Sequence, residues 1–127
     1  MQKKVIFSKS APKAIGPYSQ AIKVDSFLFL SGQIGLNHKT QKLENKNLFS
    51  ELKQIMRNIQ AILNEENMSF ENIIKTSVFL KNLNDFSDFN NMYKNYFSKE
   101  FPARETVEVS RLPMNARIEI SIIAYKA

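Results

Sequence analysis

The sequence predicts an α+β fold, a sheet covered by helices and packed as a two-layer sandwich. Two observations lead there. Two stretches repeat apolar residues at helical spacing, others have the β-branched and aromatic content of strands, and no linker, repeat or low-complexity tract divides them. Helices with one apolar stripe need a sheet face to cover, so strands, helix, strand, helix, strands read as one layered unit. A chain of 127 residues has room for one such domain, taken as residues 1–127.

"KKVIF" and "FLFLSGQIGL" read as strands, the second approached through Asp25 and Ser26. From Asn47 the period changes. Leu48, Leu52, Ile55, Ile59 and Ile62 recur at alternating spacings of four and three, which puts them on one helix face. "IIKTSVFL" returns to strand character. "DFSDFNNMYKNYF" is helical again, with Phe86, Phe89, Tyr93 and Phe97 in a row, Asp85 or Ser87 as the expected cap, and Pro102 barring continuation. "ARETVEVS" and "RIEISIIAY" close the chain as strands, and the turn around "RLPMNA" predicts an antiparallel hairpin between them. In the last strand Ile118, Ile120, Ile122 and Ala124 share one face. The opposite face, with Glu119, Ser121, Ile123 and Tyr125, is too apolar for a wholly solvated surface and points to a subunit interface.

Composition narrows the chemistry. The absence of cysteine removes disulfides, thiol nucleophiles and thiolate metal sites, and the sequence has neither a glycine-rich phosphate loop nor histidine spacing for zinc. The only histidine, His38, lies in the polar stretch "LNHKTQK", where an exposed turn position is the ordinary role. The N-terminal run "VIF" is far shorter than a signal-peptide core and no stretch approaches membrane-spanning length, so the expected location is the cytoplasm. A net charge of +6 and a pI near 9.6 suit a phosphate-bearing partner, but the lysines are scattered among asparagines rather than clustered. Nucleic acid is therefore not the expected partner.

Four places carry candidate chemistry. In "AIGPYSQA", Gly16 and Pro17 fix the backbone before Tyr18, which presents a ring with a hydroxyl; a turn with a packing tyrosine is the commoner meaning. In "LSGQIG", Ser31 and Gly32 offer a hydroxyl and an unobstructed backbone, although a bulge or tight bend explains them equally well. Arg104 alternates with Thr106, Glu108 and Ser110, so its strand face is polar, and its planar fork matches a carboxylate as lysine cannot. Surface ion pairing is the usual fate of such an arginine. Glu119 is a carboxylate within an apolar strand, either an exposed-face charge or a general acid/base.

Individually weak, these features combine. "AIGPYSQA", "LSGQI", "VFLKNLNDF", "FPAR", "VEVSRLP" and "IEI" occur in an order and spacing that resembles the Rid (YjgF) family of reactive intermediate deaminases, specifically its RidA subgroup, from Ala14 to Ala124. The resemblance implies a homotrimeric barrel of chorismate-mutase-like fold, each chain a mixed sheet with two helices on one face, and sites in clefts between subunits. It implies hydrolysis of 2-imino acids (2-iminobutanoate, 2-iminopropanoate), released by pyridoxal-phosphate-dependent dehydratases acting on threonine or serine, to 2-keto acids and ammonia, without metal or organic cofactor. Carried over by motif, Arg104 grips the substrate carboxylate, Glu119 assists water activation, Tyr18 supplies the ring, Ser31 and Gly32 come from "SGQ", and Asn90 and Thr106 line the pocket.

The hairpin expectation adds one inference. Pairing Ser110 with Arg117 would put Arg104 about five residues from Glu119, some ~16 Å along the strands, too far for one small substrate. Each site would then take Arg104 from one chain and Glu119 from its neighbour. Departures from the family pattern lie at Glu105, Thr106 and Ser121, where a small residue, a cysteine and a second acid are frequent. Strand alternation turns Glu105 away from Arg104. The competing functions are an RNA-acting protein of endoribonuclease or translation-inhibitor type, and a non-catalytic ligand-binding or chaperone-like trimer.

Overall fold

The structure, a computed structural model, describes residues 2–127; Met1, where the expected domain begins, lies outside them. Its elements are β1 (Lys3–Ile6), β2 (Ala21–Val24), β3 (Phe27–Gln33), α1 (Leu48–Asn64), β4 (Ile73–Leu80), α2 (Phe86–Tyr93), β5 (Ala103–Glu108) and β6 (Ile118–Tyr125), with short 3₁₀ turns between some of them. The strands form one mixed six-stranded sheet in the order β1-β2-β3-β6-β4-β5. Among the described residues, no helix is long and apolar enough to cross a membrane.

The alternation of β6 fixes its place. Ile118, Ile120, Ile122 and Ala124 are all buried, against Leu52, Ile55, Ile59 and Ile62 of α1 and Leu28 and Leu30 of β3. A strand with four buried apolar positions needs neighbours on both edges, and β6 runs antiparallel to β3 on one side and to β4 on the other. The hairpin expected between β5 and β6 does not form. Instead β5 pairs in parallel with β4, Arg104 opposite Thr76 and Thr106 opposite Val78, and takes the sheet edge. Its half-exposed, polar pattern suits an edge, where only one side of the backbone is paired.

Other boundaries differ from the sequence reading for local reasons. The stretch "AIKV" forms β2, unpredicted because it is only four residues long; it turns into β3 through Asp25, whose φ of 52° lies in the left-handed region that Asp tolerates. Asn47 caps α1, accepting from the Ser50 backbone N–H at 2.8 Å while the Ser50 hydroxyl reaches back to the Asn47 N–H. Asp85 holds the N-cap position of α2, as expected, but its backbone is already helical and its side chain makes no capping hydrogen bond. Asn82, ahead of the preceding 3₁₀ turn, accepts from Asn84, and Glu108 accepts from the Leu83 N–H at 2.9 Å, tying the end of β5 to the entrance of α2. α2 stops at Tyr93 rather than at Phe97, well before Pro102, and Phe97 lies beyond it while keeping its ring 4.9 Å from that of Tyr93.

One buried carboxyl locks the layers together. Glu51, in the first turn of α1 and without solvent exposure, accepts from the Arg117 N–H at 2.6 Å just before β6. Burial raises its pKa, with the Arg117 backbone and side chain acting in the other direction.

Truncating the central strand has a different cost from removing the cap. Ile120→Ala is expected to lower stability by about 3 kcal/mol through lost burial and a cavity, and Asn47→Ala by about 1 kcal/mol. Urea unfolding of both variants checks the order; equal costs would contradict the central role of β6.

Candidate functional site

Arg104 points to the helix face. Its strand neighbour Thr76 is buried there and shares a hydrogen bond of 2.8 Å with the Tyr93 hydroxyl. The guanidinium donates to Asn90 Oδ1 at 2.7 Å, and its carbon lies 4.8 Å from the Tyr93 ring centre, 5.5 Å from Phe89 and 5.7 Å from Phe86. Rings at these distances attract a cation without neutralising it, so α2 orients the fork and leaves its charge unspent. Among the described residues, Arg104 has no carboxylate partner. Beside it opens a cavity of about 410 Å³, whose walls include Asn90, Tyr93, Lys94, Phe101 and Pro102. Thr106, two residues along the same face, has a buried hydroxyl with no hydrogen-bond partner among the described residues.

Glu119 points the other way. It lies opposite Phe79 of β4, between the inward Ile118 and Ile120, so the sheet stands between its carboxyl and Arg104. Its floor is Gly32. Leu30 faces Ile122 but Gln33 faces Ile120, so β3 carries one extra residue at Ser31–Gly32, a bulge that breaks its alternation. A Cβ on Gly32 would stand 2.7 Å from Glu119 Oε2, so any larger residue would displace the carboxyl. Burial alone raises the Glu119 pKa, with no opposing partner. A second cavity, of about 240 Å³, contains Glu119, Gly32 and Tyr18, with Ile15, Leu36 and Met114 in its wall.

Six of the seven candidate residues therefore fall into two groups on opposite faces. Arg104, Asn90 and Thr106 form one. Glu119, Gly32 and Tyr18 form the other, with Tyr18 about half exposed. Ser31 is adjacent in sequence, but its hydroxyl is committed to the Ser19 carbonyl at 2.6 Å and its N–H to the Gln20 carbonyl at 2.9 Å. In this chain it fastens the strand ends. Glu105 faces away from Arg104, as alternation requires, and pairs with Lys75 at 3.0 Å. The cage of Phe86, Phe89 and Tyr93 was visible in sequence only as a core stripe, and Met114 and Lys94 gave no signal at all. His38 sits in a turn and lines neither cavity.

The raised Glu119 pKa has a measurable consequence. A carboxyl that is harder to ionise when folded costs stability wherever the unfolded chain ionises it. That cost is absent below the ordinary carboxyl value of 4.5, grows as pH rises through it, and levels off above the folded value. Glu119→Gln is expected to melt a few degrees higher than the wild type at pH 7 and at the same temperature near pH ~4. Thermal unfolding across pH checks this; a pH-independent difference would mean that ionisation of Glu119 plays no part.

Comparison with known proteins gives this geometry a context. The family model described as Endoribonuclease L-PSP matches residues 8–126. A RutC family protein of Pyrococcus abyssi is 48% identical over 126 residues, which cover 99% of each chain. Human 2-iminobutanoate/2-iminopropanoate deaminase is 43% identical over 122 residues, 96% of this chain and 89% of that one. A crystal structure of a Rid family protein of unknown function from Yersinia pestis superposes with a TM-score of 0.95 at 44% identity, covering 98% of this chain and all of that one. The YjgF gene product of E. coli gives 0.92 at 38% identity, covering 98% and 99%. A family model spanning nearly the whole chain, with full-length relatives well above 30% identity, settles kinship: the chain belongs to the Rid (YjgF) family.

Proposed function

We propose that this chain is a cytoplasmic imine hydrolase that converts 2-imino acids, 2-iminobutanoate and 2-iminopropanoate among them, to 2-keto acids and ammonia. The observation that carries the reading is the pair of unspent charges: an arginine held by rings and an amide rather than by a carboxylate, and a carboxyl whose ionisation burial opposes. The first suits a substrate carboxylate, and the second, with its pKa raised by burial, suits the taking and returning of a proton. The name of the human relative supports the substrate class.

A single chain divides these groups between two sheet faces, so the working site needs a second copy. The exposed Phe27, Phe29 and Tyr125 on the face away from the helices, and the unpaired edge of β5, are surfaces that association would cover. We place the site between neighbours of a homotrimeric, chorismate-mutase-like barrel, each made of one domain spanning 1–127, with Arg104 from one chain facing Glu119 of the next. The face-to-face division replaces the hairpin distance as the reason.

The chemistry needs little machinery, because a protonated imine is already electrophilic. Arg104 holds the carboxylate, which fixes the C=N carbon against a water on Glu119. The water oxygen bonds to that carbon as its proton passes to Glu119, and the π electrons move to nitrogen. Glu119 returns the proton to the amine of the resulting carbinolamine. The C–N bond then breaks, the hydroxyl becomes the keto oxygen as its proton passes to Glu119, which later releases it to water, and ammonia leaves. Asn90 keeps the fork in plane, and the unpartnered Thr106 hydroxyl is available to the substrate.

Keto-acid release from freshly generated 2-iminobutanoate should be accelerated by the wild type and lost, by about 100-fold or more, in both Arg104→Ala and Arg104→Lys, since lysine lacks the planar fork. No acceleration by folded wild type would remove the assignment. Assemblies mixed from Arg104→Ala and Glu119→Ala chains should regain part of the activity that either loses alone. Verified mixed trimers that stay inactive would refute the shared site.

A further inference from the structure

The cavity around Glu119 has a feature the hydrolysis itself does not need. Its mouth carries two large apolar side chains held toward water, Ile15 at 79% exposure and Met114 at 50%. Inside, the wall continues through Ile34 and Leu36. Gln20 is spent on its own loop: its amide donates to the Ser8 and Pro12 carbonyls, and its oxygen accepts from the Ser8 N–H at 2.6 Å. The remaining polar groups are the Glu119 carboxyl, the Tyr18 hydroxyl, Gln33 and the exposed Lys13.

Met114 is also held at a cost. Its φ is 56° and that of Asn115 is 58°, two successive left-handed residues of which neither is glycine. Asn tolerates this region, but for Met114 it is disfavoured by about 1–2 kcal/mol. The turn is kept by the Asn115 N–H on the Leu112 carbonyl at 3.2 Å, the Ala116 N–H on the Pro113 carbonyl at 3.1 Å, and a hydrogen bond from Lys81 to the Asn115 side chain. This backbone sets a flexible, unbranched thioether side chain beside the reacting carboxyl. Methionine adapts to ligands of different length better than a branched residue does.

Resting on the imine hydrolase reading, we infer that Ile15 and Met114 form the subsite for the substrate's own side chain, and that this chain prefers 2-imino acids with unbranched apolar side chains of about four carbons over those with one or two. A methyl or ethyl group fills little of a cavity of about 240 Å³, whereas a butyl group brings more apolar surface to bury against Ile15 and Met114 in its wall. Burying two further methylenes favours the longer substrate by roughly tenfold. Met114 is then a specificity-determining residue, not a catalytic one.

The test generates imines from alanine, 2-aminobutyrate and norleucine with an amino-acid oxidase and catalase, and compares kcat/KM for wild type, Met114→Lys and Met114→Leu in assemblies of verified size. The wild type should favour the norleucine-derived imine by about tenfold over the 2-aminobutyrate-derived one, and by more over the alanine-derived one. Met114→Lys should abolish that ratio and Met114→Leu should retain most of it. Hydrolysis of the two shorter imines with no advantage for the longer one overturns this inference and leaves the hydrolase reading standing. A ratio unchanged in Met114→Lys, or dissociation of that variant into single chains, overturns it in favour of another selector or an interface role for Met114. No hydrolysis of any imine removes both.

Discussion

The row of Ile118, Ile120, Ile122 and Ala124 under α1 is the contact on which the rest of this molecule depends. Each fully buried isoleucine contributes about 1.5–3 kcal/mol, and the row can be buried only if β6 is central, with β3 and β4 on its flanks. Once that row faces the helices, strand alternation sends Glu119 to the opposite face. The Glu51 carboxyl, fastened to the Arg117 N–H, sets where along α1 the strand begins. The bulge at Ser31–Gly32 then opens the one place on β3 where the Glu119 carboxyl can lie against bare backbone. A packing requirement thus decides the position of a chemical group.

Much of this was legible in the sequence. The inward face of β6 and the stripe of α1 are strong periodic signals, and the predicted residues are buried except Leu48 at the start of α1, which is half-buried. The pairing of β5 was not legible from chain proximity, because consecutive strands pair so often that a hairpin is the natural expectation. The corrective signal lay in the side chains. Arg104 and Thr106 sit on the face of β5 that meets the helices, and a strand with polar inward residues cannot fill the middle of a core, whereas β6 can. β2 escaped notice because four residues carry too little pattern, and Asp85, rightly placed at the start of α2, makes no capping bond because its backbone is already helical there.

The candidate residues were legible as types, but their grouping was not. Periodicity placed Phe86, Phe89 and Tyr93 correctly on one face of α2, yet it could not say that the face would hold a guanidinium as well as a core. Ser31 shows the opposite limit. A hydroxyl beside a glycine looks available in sequence, while in the fold it is consumed by a backbone carbonyl a dozen residues away. Grouping depends on the third dimension, and a bulge or a strand crossing shifts it without altering any motif.

The division of Arg104 from Glu119 by the sheet also answers a problem of electrostatics. An arginine and a glutamate within reach of each other in one cavity would pair, and the pair would lower the carboxyl's pKa and occupy the fork. Here neither happens: Arg104 is steadied by rings and Asn90, and nothing offsets the burial that raises the Glu119 pKa. Each group keeps the property that imine hydrolysis would use, a free bidentate cation in one case and a carboxyl that burial makes readier to hold a proton in the other. If a second copy brings the two together with a substrate between them, the carboxylate of that substrate takes the fork before Glu119 can. On the proposed reading, separating the charges within a chain leaves the ligand, not the protein, to complete the pair.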